Sequence, residues 1–170
     1  RLAEEAPYQL ILVASGVLHD ATIRPEKSLA ALDAEALQTV FQINALGPAL
    51  LLKHFLPLLD PQGAMALLSA RVGSIADNRL GGWYAYRASK AALNMLVKTA
   101  AIELARHKPR ARLLSLHPGT VQSKLSQPFS GSAAARPAAQ AAAQLLALID
   151  RSEPADSGGF FAYDGQRIPW

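Results

Sequence analysis

The chain has 170 residues, 51% of them hydrophobic and 18% charged, with a net charge of +4, no cysteine, and no apolar run near the roughly 20 residues of a membrane span. This composition suits one globular domain with a sizeable core and excludes disorder, disulfide scaffolds and thiolate metal sites. The basic residues are scattered and not interleaved with aromatics, and the histidines lack ligand spacing. We therefore expect no nucleic-acid surface, no membrane partner and no metal, in a soluble cytoplasmic protein.

Leu10-Ile11-Leu12-Val13-Ala14 is a short apolar run that stops at Ser15-Gly16, the pattern of a buried parallel strand entering a loop. Asp33 is placed to cap a helix through Leu37, Phe41, Asn44, Leu51 and Phe55, ending before Asp60-Pro61. Inside that helix Pro48 has no N–H, so the Asn44 carbonyl loses its helical partner, and a kink with room for a water is expected. Gly63 opens a second strand, Ala64-Met65-Ala66-Leu67-Leu68, which Ser69 ends. The next helix is expected over about 84–107, with an apolar line at Leu93, Leu96, Val97, Ala100, Ala101 and Leu104, and Pro109 ends it. Arg112-Leu113-Leu114-Ser115-Leu116 reads as a third strand stopping at His117-Pro118-Gly119. An alanine-rich helix follows over about 137–149, then a fourth strand, Gly159-Phe160-Phe161-Ala162-Tyr163, before Asp164-Gly165. Strands alternating with helices predict an α/β fold with a parallel sheet, in which ligands gather at the carboxyl ends of the strands.

Tyr86 and Lys90 lie four residues apart in Tyr86-Arg87-Ala88-Ser89-Lys90 and so share one face of the predicted helix. A free tyrosine has a pKa of about 10, and a neighbouring cation favours the phenolate and moves the group toward neutrality.

The strand ends Ser15-Gly16, Ser69-Ala70-Arg71 and Pro118-Gly119-Thr120-Val121, taken with Tyr86-Arg87-Ala88-Ser89-Lys90, resemble the short-chain dehydrogenase/reductase family. More narrowly, Arg71-Val72-Gly73-Ser74-Ile75, Gly81-Gly82-Trp83-Tyr84-Ala85-Tyr86 and Phe160-Phe161-Ala162-Tyr163-Asp164-Gly165 are similar to its C-factor and sniffer carbonyl-reductase branch. The resemblance implies a Rossmann-like doubly wound parallel sheet and an NAD(P)-dependent oxidoreductase that reduces a carbonyl or oxidises an alcohol, with NADP favoured over NAD. It implies Tyr86 as the acid or base, Lys90 as the group that lowers its pKa and binds the cofactor ribose, and Asn44 as the holder of a water leading to Lys90. It also implies cofactor contacts at Ala14, Ser15, Gly16, Tyr86, Lys90, Pro118, Gly119, Val121 and Ser123. Association through the helices bearing Asn44 and Tyr86, as a homodimer or homotetramer, is a further implication.

The chain departs from the family pattern at three places. Ala70 stands where the oxyanion serine is expected, leaving Ser69, the favoured substitute, or Ser74. Val13-Ala14-Ser15-Gly16 replaces Asn-Asn-Ala-Gly. No Gly-x-x-x-Gly-x-Gly loop precedes the first strand, so residues 1–170 are read as a single domain that is N-terminally incomplete and lacks the first βαβ segment. These departures keep open the alternative of a noncatalytic scaffold acting in assembly or signalling. The pocket lining expected from Gln127 to Pro137 consists largely of small residues and does not disclose the substrate.

Overall fold

The computed structural model describes residues 2–129 and 135–170; the part of the expected pocket lining that falls on residues 130–134 lies outside the described residues. Four strands, β1 (Tyr8–Val13), β2 (Leu59–Leu68), β3 (Arg112–His117) and β4 (Phe160–Ala162), pair in parallel in the order β1-β2-β3-β4. Between β1 and β2 run helix α1 (Ala34–Phe41), a π-helical turn (Gln42–Leu46) and α2 (Gly47–Phe55). Helix α3 (Tyr84–His107) joins β2 to β3, and α4 (Ala138–Arg151) joins β3 to β4. This is the parallel α/β sheet that the alternating pattern predicts, in the Rossmann-like form that the resemblance implies.

Period-two alternation in the strands divides the core between the two faces of the sheet. Met65, Leu67 and Leu113 point to the face covered by α2 and α3, where they meet Leu52, Leu93, Val97 and Leu104. Ala64, Ala66, Leu114 and Leu116 point to the other face, against Leu145, Leu148 and Ile149 of α4. In β1 the parallel register sets Leu10 beside Ala64 and Leu12 beside Ala66, yet both leucines are exposed.

Two local rules produced different geometry from that expected. Asp33 caps α1, its carboxylate accepting from the Ala36 N–H at 2.8 Å. At Pro48, however, the helix widens where a kink was expected. The Gly47 N–H reaches back five residues to the Gln42 carbonyl, and the missing proline donor is absorbed in a single π turn. Strand β2 begins at Leu59, ahead of the expected start, and includes Asp60-Pro61. The register shift between Tyr8 and Leu10 on β1 lets those residues bulge out of the ladder.

Candidate active site

The carboxyl ends of the first three strands open onto a cavity of about 870 Å³. Its walls include Ala14, Ser15 and Gly16 after β1, Ser69 to Val72 after β2, Tyr86 and Lys90 from α3, and Pro118, Gly119, Val121 and Ser123 after β3. Each residue for which the resemblance implied a cofactor contact borders this space. So does Ser69, whereas Asn44 lies behind the wall.

Helix α3 presents Tyr86 and Lys90 from one face, one turn apart. Both are buried, and Lys90 is only 3% exposed. The Lys90 ammonium donates to the Leu68 carbonyl at the end of β2 (2.9 Å) and lies over the Tyr86 ring, 5.8 Å from its centroid. Burial dominates both titrations. It pushes Tyr86 up to about 12 and Lys90 down to about 8. At neutral pH the tyrosine is therefore a phenol with a proton to give, and the lysine is a cation held at a desolvation cost.

Asn44 is fully buried in the π turn and ties three elements together. Its Oδ1 accepts from the Val17 N–H, and its Nδ2 donates to the Val17 carbonyl and to Ser89 Oγ, at 2.8, 2.8 and 3.1 Å. Ser89 Oγ donates in turn to the Tyr86 carbonyl (2.9 Å). The side chain thus fixes the loop after β1 against the first turn of α3. Gly16 sits where that loop passes Lys90. A Cβ there would lie 3.3 Å from the Lys90 ammonium and 3.5 Å from Asn44 Oδ1, so glycine keeps this corner open.

The two serine alternatives differ sharply. Ser74 Oγ donates to the Pro169 carbonyl and accepts from the Asp77 N–H, so it is committed to holding the C-terminal segment and does not border the cavity. Ser69 borders the cavity, and its buried hydroxyl has no partner among the described residues.

Just before Tyr86 the backbone makes an unusual turn in which Gly81, Gly82 and Trp83 take φ values of 63°, 65° and 52° in succession. Glycine accepts this region freely, but for tryptophan it costs about 1–2 kcal/mol. Two side chains hold the turn. Arg87 Nε donates to the Gly82 carbonyl (2.9 Å), and the Glu26 carboxylate accepts from the Ala85 N–H at 3.2 Å, placing an anion at the N-terminus of α3. Glu26 is buried, and its backbone carbonyl also accepts from the Trp83 N–H.

His117 ends β3 at the cavity wall. Burial, reinforced by Arg71 and Arg136, pushes it down to about 4, and its Nδ1 is buried with no partner among the described residues. The folded pKa lies below the ordinary value of 6.5, so this site's stability contribution is complete above about pH 6.5 and is lost as pH falls toward 4. Denaturant unfolding at pH 7 and pH 4.5 is expected to show a loss larger in the native protein than in His117→Asn by about 2 kcal/mol. Equal losses would assign acid sensitivity elsewhere. Close by, the Arg136 guanidinium stacks on Tyr163, 3.4 Å from the ring centroid, and donates to the Pro118 carbonyl and Gln144.

Ser89 and Glu26 were not legible in the sequence because their partners, Asn44 and Ala85, lie 45 and 59 positions away, and Arg87 was missed although it reaches back only five residues to the Gly82 carbonyl. His19-Asp20 lies in the loop after β1, where local turn chemistry accounts for only part of its contacts. Asp20 does cap that turn, but His19 also bonds the carbonyls of Lys124 and Leu125.

A family model described as enoyl-(acyl carrier protein) reductase matches residues 13–168. The 1-hydroxy-2-glutathionyl-2-methyl-3-butene dehydrogenase of Rhodococcus sp. (strain AD45) is 36% identical over 91% of this chain and 67% of its own length. The C-signal protein of Myxococcus xanthus is 40% identical over 84% of each chain. Among solved structures, the carbonyl reductase Sniffer of D. melanogaster superposes with a TM-score of 0.85 at 27% identity, covering 99% of this chain and 69% of that one. A carbonyl reductase from Pseudomonas aeruginosa PAO1 in complex with NADP gives 0.75 at 27% identity, over 98% of this chain and 68% of that one.

Proposed function

The chain belongs to the short-chain dehydrogenase/reductase family of oxidoreductases, and we propose that it reduces the carbonyl group of a small molecule using NADP or NAD, NADP being favoured. The observation that carries this reading is the meeting of a protonated Tyr86 and a buried Lys90 cation in one cavity, beside a loop kept open by Gly16. The residues present fit the nicotinamide–ribose end of such a cofactor. Lys90 has donors to spare beyond its bond to Leu68, Gly16 leaves space beside the ammonium, and the Pro118–Gly119 turn borders the same space. Bound there, the cofactor supplies the hydride that the protein's own side chains cannot.

Tyr86 donates its proton to the carbonyl oxygen as negative charge develops there, and Lys90 stabilises the phenolate left behind. A phenol held near 12 is fully protonated at neutral pH, which suits reduction better than the reverse reaction. Ser69 contributes the hydroxyl that supports the developing charge, since Ser74 is committed elsewhere. Asn44 holds the Val17 loop and the first turn of α3 in register, so Tyr86, Lys90 and Gly16 keep their spacing.

Because Lys90 titrates near 8, the reduction rate is expected to fall as pH rises through that value, with the loss of the cation. The test is consumption of NADPH or NADH on adding small ketones and aldehydes, followed from pH 6 to pH 10. A rate that falls above about pH 8 supports the reading, and a flat profile removes Lys90 from it. A noncatalytic scaffold is the second reading, favoured by Ala70 at the strand end; binding of cofactor without turnover of any carbonyl would select it.

A further inference from the structure

Two aromatic rings beside Tyr86 border the cavity, and a third backs them. Trp83 meets Tyr86 edge to face, with centroids 6.2 Å apart and planes at 73°. Phe129, from the segment after β3, meets Trp83 in the same manner at 5.2 Å and 65°. His19, from the loop after β1, packs against Phe129 at 5.3 Å and 70°. Trp83 and Phe129 both border the cavity.

This wall is built at a cost, which separates it from ordinary packing. Trp83 is held in a left-handed backbone conformation, with Glu26 and Arg87 fixing the turn around it. Strain of this kind at a bulky residue beside reactive groups points to a use for the side chain. Phe129 stays 42% exposed and is kept in place from outside, where His19 Nε2 lies 3.1 Å from both the Lys124 and the Leu125 carbonyl. With two carbonyls as acceptors, Nε2 is the nitrogen that carries the proton. His19 therefore pins the segment that carries Phe129. Leu18, Val72 and Leu125 add apolar lining, and the cationic side chains that border the cavity are already engaged, Arg71 with Asp77 and Lys90 with the Leu68 carbonyl.

We propose that Trp83 and Phe129 select the substrate, and that it is a flat, uncharged aryl ketone or aldehyde lying against these rings with its carbonyl oxygen at Tyr86. This rests on the carbonyl-reductase reading and specifies its substrate class. A flat ring offers its face to one aromatic edge and its edge to another face, whereas a puckered aliphatic ring of equal carbon count fills the volume without matching the geometry. His19 is a positioning residue, acting through Phe129.

The test compares acetophenone with cyclohexyl methyl ketone, first by equilibrium binding to the NADPH-loaded protein detected by ligand-observed NMR, then by kcat/KM. The native protein is expected to prefer acetophenone by about fivefold or more. Trp83→Gly removes the ring and suits the left-handed backbone, so the fold is kept, and the preference is expected to disappear. Phe129→Ala is expected to weaken it, and Trp83→Phe to retain it. Equal binding of the two ketones by the native protein overturns the proposal, as does a preference that survives Trp83→Gly. Binding of neither ketone by a protein that reduces other carbonyls overturns the proposal and leaves the reductase reading standing. A ring-dependent preference in binding with no turnover of any carbonyl supports the wall and defeats the reductase reading.

Discussion

Tyr86→Phe is expected to lower kcat for carbonyl reduction by about three orders of magnitude while leaving the fold intact. The substitution removes one oxygen and nothing else. Among the described residues no side chain hydrogen-bonds that hydroxyl, so its loss strands no buried partner. The ring keeps its edge-to-face contact with Trp83 and its place beneath Lys90. Burial holds the native phenol protonated at about 12, and phenylalanine has no proton to offer. Steady-state turnover together with a thermal unfolding midpoint decides the matter. Lost activity with an unchanged midpoint is expected, and retained activity would move the proton donor to another group.

Lys90→Met should separate catalysis from stability, with the two moving in opposite directions. The native ammonium is almost wholly desolvated and titrates near 8, against an ordinary value of 10.5. At pH 7 the folded state bears this penalty in full. Methionine fills similar volume without charge, so unfolding free energy is expected to rise by about 2 kcal/mol after allowing for the lost bond to the Leu68 carbonyl. Turnover is expected to fall by about a hundredfold as the phenolate loses its cation.

The pH dependence supplies the control for the same variant. The unfolded chain binds more protons than the folded one between about pH 8 and pH 10.5, so native stability rises across that window. Tyr86 opposes this only above pH 10, where the unfolded phenol ionises and the folded one, near 12, does not. In Lys90→Met the rise between pH 8 and pH 10 should vanish. A destabilised variant, or an unchanged rise, would show that burial of Lys90 is not the strain described above.

The strand cores were readable because buried parallel strands are short apolar runs, as Ala64-Met65-Ala66-Leu67-Leu68 is, and α3 because its apolar line keeps the helical period to the last turn. The first residues of β2 were not readable. Asp and Pro are poor strand formers, and Asp60-Pro61 enters the strand only through a register shift that depends on its neighbour. Pro48 announced a missing hydrogen bond, but whether the helix kinks or widens depends on how Asn44 is gripped by Val17, a contact spanning 27 positions. In the site the same division holds. Tyr86 and Lys90 stand one helical turn apart and are visible to any local reading, whereas Glu26 reaches α3 across 59 positions and His19 reaches Lys124 across 105. Gly81-Gly82 reads only as part of a family-like motif, and nothing local indicates that Trp83 joins the two glycines in a left-handed turn. The direction of Tyr86's titration also depends on burial by the whole fold, which outweighs the neighbouring cation.

The most direct measurement is a calorimetric titration of NADPH into the native protein and into Lys90→Met. Saturable one-to-one binding to the native protein is expected, with binding weaker by about tenfold in the variant, as befits loss of one charge-assisted contact. No saturable binding to the native protein, or equal binding to both, would contradict the assignment of this cavity to a nicotinamide cofactor.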